Sequence, residues 1–208
     1  MNEKKLSVGL IIFNIIFFSV ISYFFINFCI FFRCLNYSES LHLPENYEIL
    51  RLKIYGTSEF FNNETVSANI SILNTDGVEC AVIERSWNGT SIAIDFFSGV
   101  FWGKEYFFPK KVYGFSYSTE KNRFVSGRKG TSLLPYYLEN NECLLLGNGY
   151  SDKNRDSLYL IAKFSFSKFS SLFGSFFKKY VIDLSRCEIG KVYSVIVSPS
   201  GKIILSEN

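Results

Sequence analysis

Apolar residues dominate the start of the chain. An uncharged run from Leu6 to Phe32 lies between Lys4 and Lys5 on one side and Arg33 on the other. At about 1.5 Å per residue, a helix of this length reaches roughly 40 Å, which exceeds the roughly 30 Å hydrocarbon core of a bilayer. The run therefore predicts a single transmembrane helix over residues 6–32, with the lipid bilayer as its partner.

The length of this run favours an uncleaved anchor over a secretory signal. A cleavable signal has an apolar region of about 7 to 15 residues that ends in small residues. Here the run continues through large side chains such as Phe28 and Phe31. The interpretation is a signal anchor. Because cytoplasmic flanks carry the excess of cations, the two lysines that precede the run predict that residues 1–5 are cytoplasmic and the main domain is extracytoplasmic.

A short polar connector follows the apolar run. Ser38, Ser40 and Pro44 lie in residues 33–46, a stretch that is too short to form a domain. The pattern predicts that the helix ends near Arg33 and that residues 33–46 are a stalk. Residues 47–208 are then one domain, since a chain of this length typically builds one hydrophobic core.

The hydrophobic period changes to two in the domain. Val66, Ala68, Ile70 and Ile72 alternate with polar residues, which is typical of a half-buried strand. Further strands are predicted at residues 47–55, 78–87, 143–146, 181–184, 192–197 and 203–205.

Turn residues separate the predicted strands. Gly77 ends a turn that begins at Asn74, and Asn88-Gly89 favours a type I′ hairpin because both residues tolerate positive φ. The expectation is an antiparallel meander. Two aromatic-rich strands are expected to meet near Trp102-Gly103, and Pro109 either ends the second of them or marks a sheet edge.

Helical spacing appears once in the domain. Leu158, Ile161, Ala162 and Ser165 recur at intervals of three and four, which predicts a helix over residues 153–166 with Asp152 as its N-cap. The alternation over residues 163–168 also fits a strand. The predicted fold class is mainly β, either a meander or sandwich-like arrangement or an α+β arrangement with one helix packed on a sheet, after a single N-terminal transmembrane helix.

Charge and cysteine content narrow the function classes. The chain has 22 Lys and Arg against 19 Asp and Glu, a net charge of +3, so no nucleic-acid partner is expected. One cysteine lies in the apolar run. The other four could form two disulfides outside the cytoplasm or remain as buried thiols. They are Cys34, Cys80, Cys143 and Cys187. Their spacing contains no CxxC pair, and no metal or cofactor is predicted.

One segment of the domain combines glycine, serine and basic residues. Within residues 119–134, four cations, Lys121, Arg123, Arg128 and Lys129, accompany two glycines. Backbone donors and cations together can hold a phosphate or carboxylate. The favoured interpretation is a solvated hairpin loop, and the alternative is a ligand-binding loop in which these four cations hold the anion.

No catalytic signature stands out in the chain. His42 is the only histidine and lies in the predicted stalk, so a Ser-His-Asp or Cys-His site would require the stalk to fold back. Glu84, Asp95 and Asp183 could meet in space without leaving a motif. The sequence therefore predicts no catalytic residue.

Four asparagines begin an N-x-[ST] acceptor for glycosylation, which applies only in a secretory pathway. They are Asn36, Asn63, Asn69 and Asn88.

The favoured function is a single-pass membrane-anchored protein whose extracytoplasmic domain binds an envelope or protein ligand without catalysis. The alternative is an anchored enzyme with an unrecognised carboxylate or thiol site.

An apolar N-terminal helix before a β-rich domain also superficially resembles type IV pilins. Gly9 precedes Leu10 as a processing glycine does in that family, while Asn14 stands where the family has glutamate. The resemblance covers about the first 30 residues and implies a filament subunit as a third function.

Overall fold

The computed structural model describes residues 2–60, 63–117, 124–126, 130–198 and 201–208. It begins with helix α1, Asn2–Ser40. Its apolar side chains are largely exposed, including Phe13 at 65% and Phe25 at 68%. Among the described residues, one helical stretch, 10–40, is long and apolar enough to cross a membrane. The predicted single apolar helix is confirmed.

Two antiparallel sheets follow the helix. Three strands of the first sheet come early in the chain and two come last, so that β12-β11-β1-β2-β3 is the spatial order. They are β1 (Tyr47–Phe60), β2 (Asn63–Leu73), β3 (Glu79–Asn88), β11 (Val192–Val197) and β12 (Ile203–Glu207).

The second sheet is built from the middle of the chain. Its order is β10-β4-β5-β6, with β7 also paired to β5. These strands are β4 (Ser91–Phe101), β5 (Lys104–Tyr117), β6 (Phe124–Ser126), β7 (Thr131–Ser132) and β10 (Phe177–Asp183). A small hairpin of β8 (Leu138–Glu139) and β9 (Glu142–Cys143) follows a 3-10 turn at Leu134–Tyr136.

One core joins the two sheets to the helices. Ile70 of the first sheet and Phe96 of the second belong to the same buried cluster as Phe31 of α1. Strand β2 buries the alternating residues that the sequence predicted, each at most 1% exposed. The prediction of a mainly β domain after one apolar helix is confirmed.

Helix α2 spans Asp152–Ser165 and packs on this core. Its buried face contains Leu158, Ile161 and Ala162, as the helical spacing predicted, so the strand alternative at 163–168 is wrong. The N-cap is Ser151 rather than Asp152, which is the first helical residue. A 3-10 helix at Lys168–Phe173 continues from α2 and ends at Gly174.

The predicted hairpin at Asn88-Gly89 is wrong. Strand β3 pairs with β2 and β4 pairs with β5, so the chain passes here from one sheet to the other. The glycine serves close packing: a Cβ on Gly89 would lie 2.5 Å from the backbone nitrogen of Phe115, and one on Gly114 would lie 2.2 Å from the carbonyl oxygen of Asn88.

The tight hairpin with positive φ lies instead at Trp102-Gly103. Their φ angles are 51° and 78°, and the flanking residues Phe101 and Lys104 are paired. This confirms the predicted meeting of two aromatic-rich strands. Strand β5 continues through Pro109, opposite a register shift, so the proline does not end it.

The predicted end of the first helix near Arg33 is also wrong. Helix α1 continues to Ser40, and Cys34, Ser38 and Leu41 are at most 1% exposed. The first half of the predicted stalk is therefore helix packed against the domain. The short polar side chains of this segment suggested an exposed stalk. A serine can be buried in a helix, however, because its hydroxyl can donate to a backbone carbonyl, as Ser38 does to the carbonyl oxygen of Leu35 at 2.8 Å.

Candidate functional site at the helix–domain junction

The hairpin between β4 and β5 closes on the C-terminal end of α1. The Lys104 Nζ atom lies 3.3 Å from the carbonyl oxygen of Ser38 and 3.1 Å from those of Glu39 and Leu41. The last carbonyls of a helix lack intrahelical partners and carry partial negative charge. The Lys104 ammonium group donates hydrogen bonds to these carbonyls, and its positive charge offsets their partial negative charge.

Two aromatic side chains of the same hairpin strengthen this junction. The hydroxyl of Tyr106 lies 3.0 Å from the carbonyl oxygen of Ser38 and 3.3 Å from that of Leu41, and the Trp102 Nε1 atom donates to the carbonyl oxygen of Leu35 at 3.0 Å. Tyr106 is 1% exposed, and burial raises the pKa of its hydroxyl. It therefore stays a neutral donor at physiological pH. We call Trp102, Lys104 and Tyr106 the helix clamp.

A cleft lies beside the helix clamp, between the two sheets and the segment that follows α1. Its volume is about 540 Å³, within the range of small-molecule sites. Its walls combine apolar and charged groups. The polar and charged residues that line it are His42, Glu45, Lys104, Glu105, Lys178 and Ser198. We call this space the junction cleft.

Glu105 is a firmly held charged group of the junction cleft. Its Oε1 atom accepts hydrogen bonds from Ser98 Oγ at 2.5 Å and from Tyr180 OH at 2.8 Å, and its Oε2 atom lies 3.9 Å from Lys178 Nζ. The pKa of Tyr180 is raised, first by burial and then by this hydrogen bond. Glu105 is therefore a fixed acceptor that suits binding of a donor group.

His42 also borders the junction cleft. Its Nδ1 atom lies 3.1 Å from the carbonyl oxygen of Ser40, which makes Nδ1 the donor; in the neutral imidazole, Nε2 is then the acceptor. The stalk thus folds back onto the domain, as a role for this histidine would require. Sequence reasoning missed Glu105 as a site residue because no motif surrounds it.

A second depression lies between α1 and α2. Its volume is about 670 Å³, and it combines apolar side chains with two cations, Arg33 and Lys163. It is lined by Asn27, Ile30, Arg33, Tyr37, Asn141, Asp156, Tyr159, Leu160, Lys163, Phe164 and Ser167. We call it the interhelical groove.

The carboxylates that the sequence singled out fall into two places. Asp95 and Asp183 lie on neighbouring strands of the second sheet, where both charges raise the pKa of Tyr113 after the larger effect of burial. Glu84 lies on the first sheet, paired with Asn69. The three do not converge, and neither aspartate lines the junction cleft.

The cysteines are present as free thiols. Cys80 Sγ donates to the carbonyl oxygen of Leu144 at 3.1 Å, and Cys143 is fully buried. Burial raises the thiol pKa to about 11 for Cys80 and Cys187 and to about 12 for Cys143. Because the thiolate is the nucleophile, these three groups are poorly suited to covalent catalysis at neutral pH.

Of the predicted ligand-binding loop, residues 119–134, the structure describes only residues 124–126 and 130–134. Its four cations, Lys121, Arg123, Arg128 and Lys129, lie outside the described residues. Of the glycosylation acceptors, Asn36 and Asn88 are exposed and Asn69 is half-buried.

Among the described residues, no group of three or more His, Cys, Asp or Glu side chains has an arrangement that could hold a metal ion. The geometry instead offers two concave surfaces beside one apolar helix, each with cations and hydrogen-bonding groups. In comparisons with known proteins, no family model, no curated protein and no solved structure matches the chain.

Proposed function

We propose that this chain is a single-pass membrane-anchored protein whose domain, residues 47–208, binds an envelope or protein ligand outside the cytoplasm. The N-terminal residues 1–5 are cytoplasmic in this proposal, and α1 is an uncleaved signal anchor. Support for the anchor comes from the exposed apolar side chains of α1. Support for the orientation comes from Lys4 and Lys5 before the run.

The helix clamp is the observation that carries the proposal. Lys104 contacts three carbonyl oxygens at the end of α1, and Tyr106 contacts two of them from a buried position. A flexible tether would only keep the domain near the membrane. The clamped helix holds the domain at a fixed height and orientation, as a binding surface directed at a neighbouring component requires.

The junction cleft is the proposed binding surface. Glu105 offers a fixed acceptor, Lys178 a cation, and His42 Nε2 an acceptor at the rim. These groups suit a polar ligand that carries both donors and acceptors. In this proposal the basic residues Arg123 and Lys129 belong to a second binding element, separate from the cleft.

Membrane association and orientation are tested together on the full chain. Membranes from expressing cells are washed with alkaline carbonate, and intact cells or sealed vesicles are treated with protease. We expect the chain to resist the wash and its C-terminal domain to be cleaved only from the extracytoplasmic side. Release by the wash would overturn the anchor, and protection from external protease would overturn the orientation.

The matched variants for this test each introduce two arginines, one pair in the apolar run and the other pair on the surface of the domain. Ile12→Arg with Phe17→Arg places two charges in the apolar run, each costing about 2.5 to 3.5 kcal/mol in insertion, so we expect release by the wash. Val82→Arg with Ile204→Arg changes exposed residues of the first sheet and should leave association intact.

Ligand binding is tested by crosslinking and pull-down from solubilised membranes. A partner of the junction cleft should be lost when Lys178→Glu reverses the charge next to Glu105, and kept in Lys153→Glu, which makes the same change on an exposed lysine outside the cleft. The predicted basic loop is tested separately with Arg123, Arg128 and Lys129 changed to alanine. An unchanged set of partners would contradict the role of that loop.

A filament subunit is the second candidate, because α1 continues into the domain as far as Ser40 instead of stopping near Arg33. A pilin-like subunit would lose its leader by cleavage after Gly9. The intact mass of the mature protein distinguishes the two functions. A chain that retains Met1 to Gly9 excludes pilin-type processing.

A further inference from the structure

The interhelical groove lies where the apolar helix leaves the membrane. Starting from Leu6, about 20 residues of helix fill the hydrocarbon core, which ends near Phe25. Asn27 and Ile30, at the lower end of the groove, follow within the next turn or two. This position depends on the membrane anchor in the proposed function, but it does not depend on which side of the membrane the domain faces.

Aromatic contacts of the 3-10 helix with α1 support this position of the groove at the membrane boundary. Phe169 packs against Tyr23 and Phe24 with ring centroids 6.1 and 5.5 Å apart, and Phe173 stacks on Phe31 at 4.1 Å. The 3-10 helix therefore lies alongside the outer part of the apolar run. Leu172 between these two rings is 63% exposed, so this surface continues the apolar face of α1.

Two cations stand over the apolar wall of the groove. Arg33 Nη2 donates to Tyr37 OH at 3.2 Å, and Lys163 Nζ donates to Tyr159 OH at 3.3 Å. Each cation is thus held by a tyrosine four residues away on its own helix. Within the described part of the chain, neither cation lies within 4.0 Å of a carboxylate in an ion pair.

The lining of the groove changes in character along its length. Ile30, Leu160 and Phe164 are apolar, whereas Asp156 lies two helical turns before Lys163 on α2. Apolar side chains, two cations and one acidic group suit, respectively, the acyl chain, the phosphate and the headgroup amine or hydroxyl of a phospholipid.

We propose that the interhelical groove binds a membrane glycerophospholipid, with its phosphate between Arg33 and Lys163. The acyl chains lie along Ile30 and the exposed apolar face of α1. Charge-assisted hydrogen bonds from two cations hold the phosphate. Asp156 repels a second phosphate and accepts a hydrogen bond from the headgroup, so the site takes lipids with a single phosphate.

The test uses the full chain purified in detergent with phosphatidylglycerol as the probe, and native mass spectrometry counts the lipid that each protein retains. The variant Arg33→Gln with Lys163→Gln removes both cations and keeps hydrogen-bonding side chains. The control Arg186→Gln with Lys202→Gln makes the same charge change on exposed residues of the domain. We expect affinity for the lipid to fall about tenfold or more in the groove variant only.

Equal retention by the groove variant and the wild type would overturn the proposal, as would an equal loss in the control, which would indicate general charge attraction. Displacement of the lipid by soluble glycerophosphate would also overturn it, since the occupant would then be a free phosphate ester. The alkaline carbonate wash separates the two proposals: a chain released by the wash removes the anchor, whereas an anchored chain without retained lipid removes only the groove.

Discussion

At the scale of single residues, Lys104 connects the end of helix α1 to strand β5 of the domain. Its Nζ atom contacts three backbone carbonyl oxygens at the end of α1, while its own backbone starts β5. These carbonyls would otherwise need water or another cap. One ammonium group therefore helps to fix the direction in which the helix leaves the domain.

Removing this ammonium group should weaken the fold measurably. We expect Lys104→Met, which keeps most of the side-chain length, to lower the free energy of unfolding by about 1–3 kcal/mol, because the helix-end carbonyls lose their charged donor. Chemical unfolding of the full chain in detergent micelles measures the change. Lys202→Met is the matched control on an exposed lysine, and equal stabilities for the two variants would contradict the role of the helix clamp.

Tyr113 gives a prediction about alkaline pH. Burial, followed by the charge of Asp95, raises its pKa to about 12. The folded protein therefore keeps a phenolic proton that the unfolded chain releases near pH 10, so stability falls as the pH rises from about 10 to about 12. We expect a shallower fall in Tyr113→Phe, measured by denaturant unfolding across this range. Tyr55→Phe, at a 45% exposed tyrosine, is the control, and an equally steep fall in Tyr113→Phe would contradict the prediction.

Single site residues were the hardest feature to predict from the sequence. Glu105 becomes a binding candidate only because Ser98 and Tyr180 converge on it, and Tyr180 is far away in the sequence. His42 was assigned to a stalk because its neighbours are polar, yet Leu41 beside it is buried. Local composition records the residue type, whereas burial depends on which distant elements pack over it.

At the scale of elements, the 3-10 helix Lys168–Phe173 has an unusual position. It follows α2 directly and presents Phe169 and Phe173 to the apolar part of α1. Short helices in a soluble domain usually direct such rings into the core only. Here the rings pack against the apolar part of α1, while Leu172 between them is 63% exposed, and Lys168 at the start of the 3-10 helix suits a headgroup region.

We expect this element to contact lipid. In Leu172→Trp, the added indole should be quenched by brominated lipids when the full chain is reconstituted in vesicles, because the side chain is exposed beside the anchor. Quenching of Trp87 and Trp102 in the wild type gives the background. Val82→Trp places an indole at an exposed site on the first sheet, and quenching of Leu172→Trp no stronger than in that variant would contradict the contact.

Elements with a strong local pattern were predicted well. The alternation in β2 and the helical spacing in α2 identify both correctly, since each buries one regular face. The hairpin predicted at Asn88-Gly89 is wrong, because the same glycine that permits a hairpin also permits close packing of two backbones. Which of the two occurs depends on the pairing of β3 and β4, and neither residue encodes that pairing.

At the scale of the whole molecule, the apolar helix α1 and the domain share one core. Phe31 is 5% exposed and contacts rings from β4, from α2 and from the segment after it, including Phe101 at 6.2 Å and Phe164 at 6.0 Å. Cys34 and Leu41 are buried in the same cluster. The core of the domain therefore includes residues of α1. The domain boundary at residue 47 that the sequence predicts leaves these residues out.

Truncation tests this shared core. A fragment of residues 28–208 should be more stable than one of residues 47–208, by at least the about 3–5 kcal/mol typical of deleting a buried phenyl ring. Thermal and chemical unfolding in the same detergent measure the difference. Phe31→Ala in the full chain is an independent check, and equal stability of the two fragments would contradict a core that includes α1.

The fold class was predictable and the arrangement of the sheets was not. Alternation and turns identify antiparallel strands, but the first sheet is completed by β11 and β12 from the end of the chain. No local pattern links residues so far apart. Their pairing depends on the complementary edges of β1 and β11, and the whole second sheet lies between these two strands in the sequence.

The pairing of β1 with β11, which joins Tyr47 to Val197, has a consequence for biosynthesis. The ribosome delivers α1 before the domain, so the proposed anchor can enter the bilayer while the domain is still unmade. Strand β1 then waits with one open edge until the last residues emerge, and open edges invite wrong partners. In the proposed anchored state, insertion confines these open edges to the membrane surface, and a chain released before Val197 is made leaves an edge that quality-control chaperones and proteases can recognise.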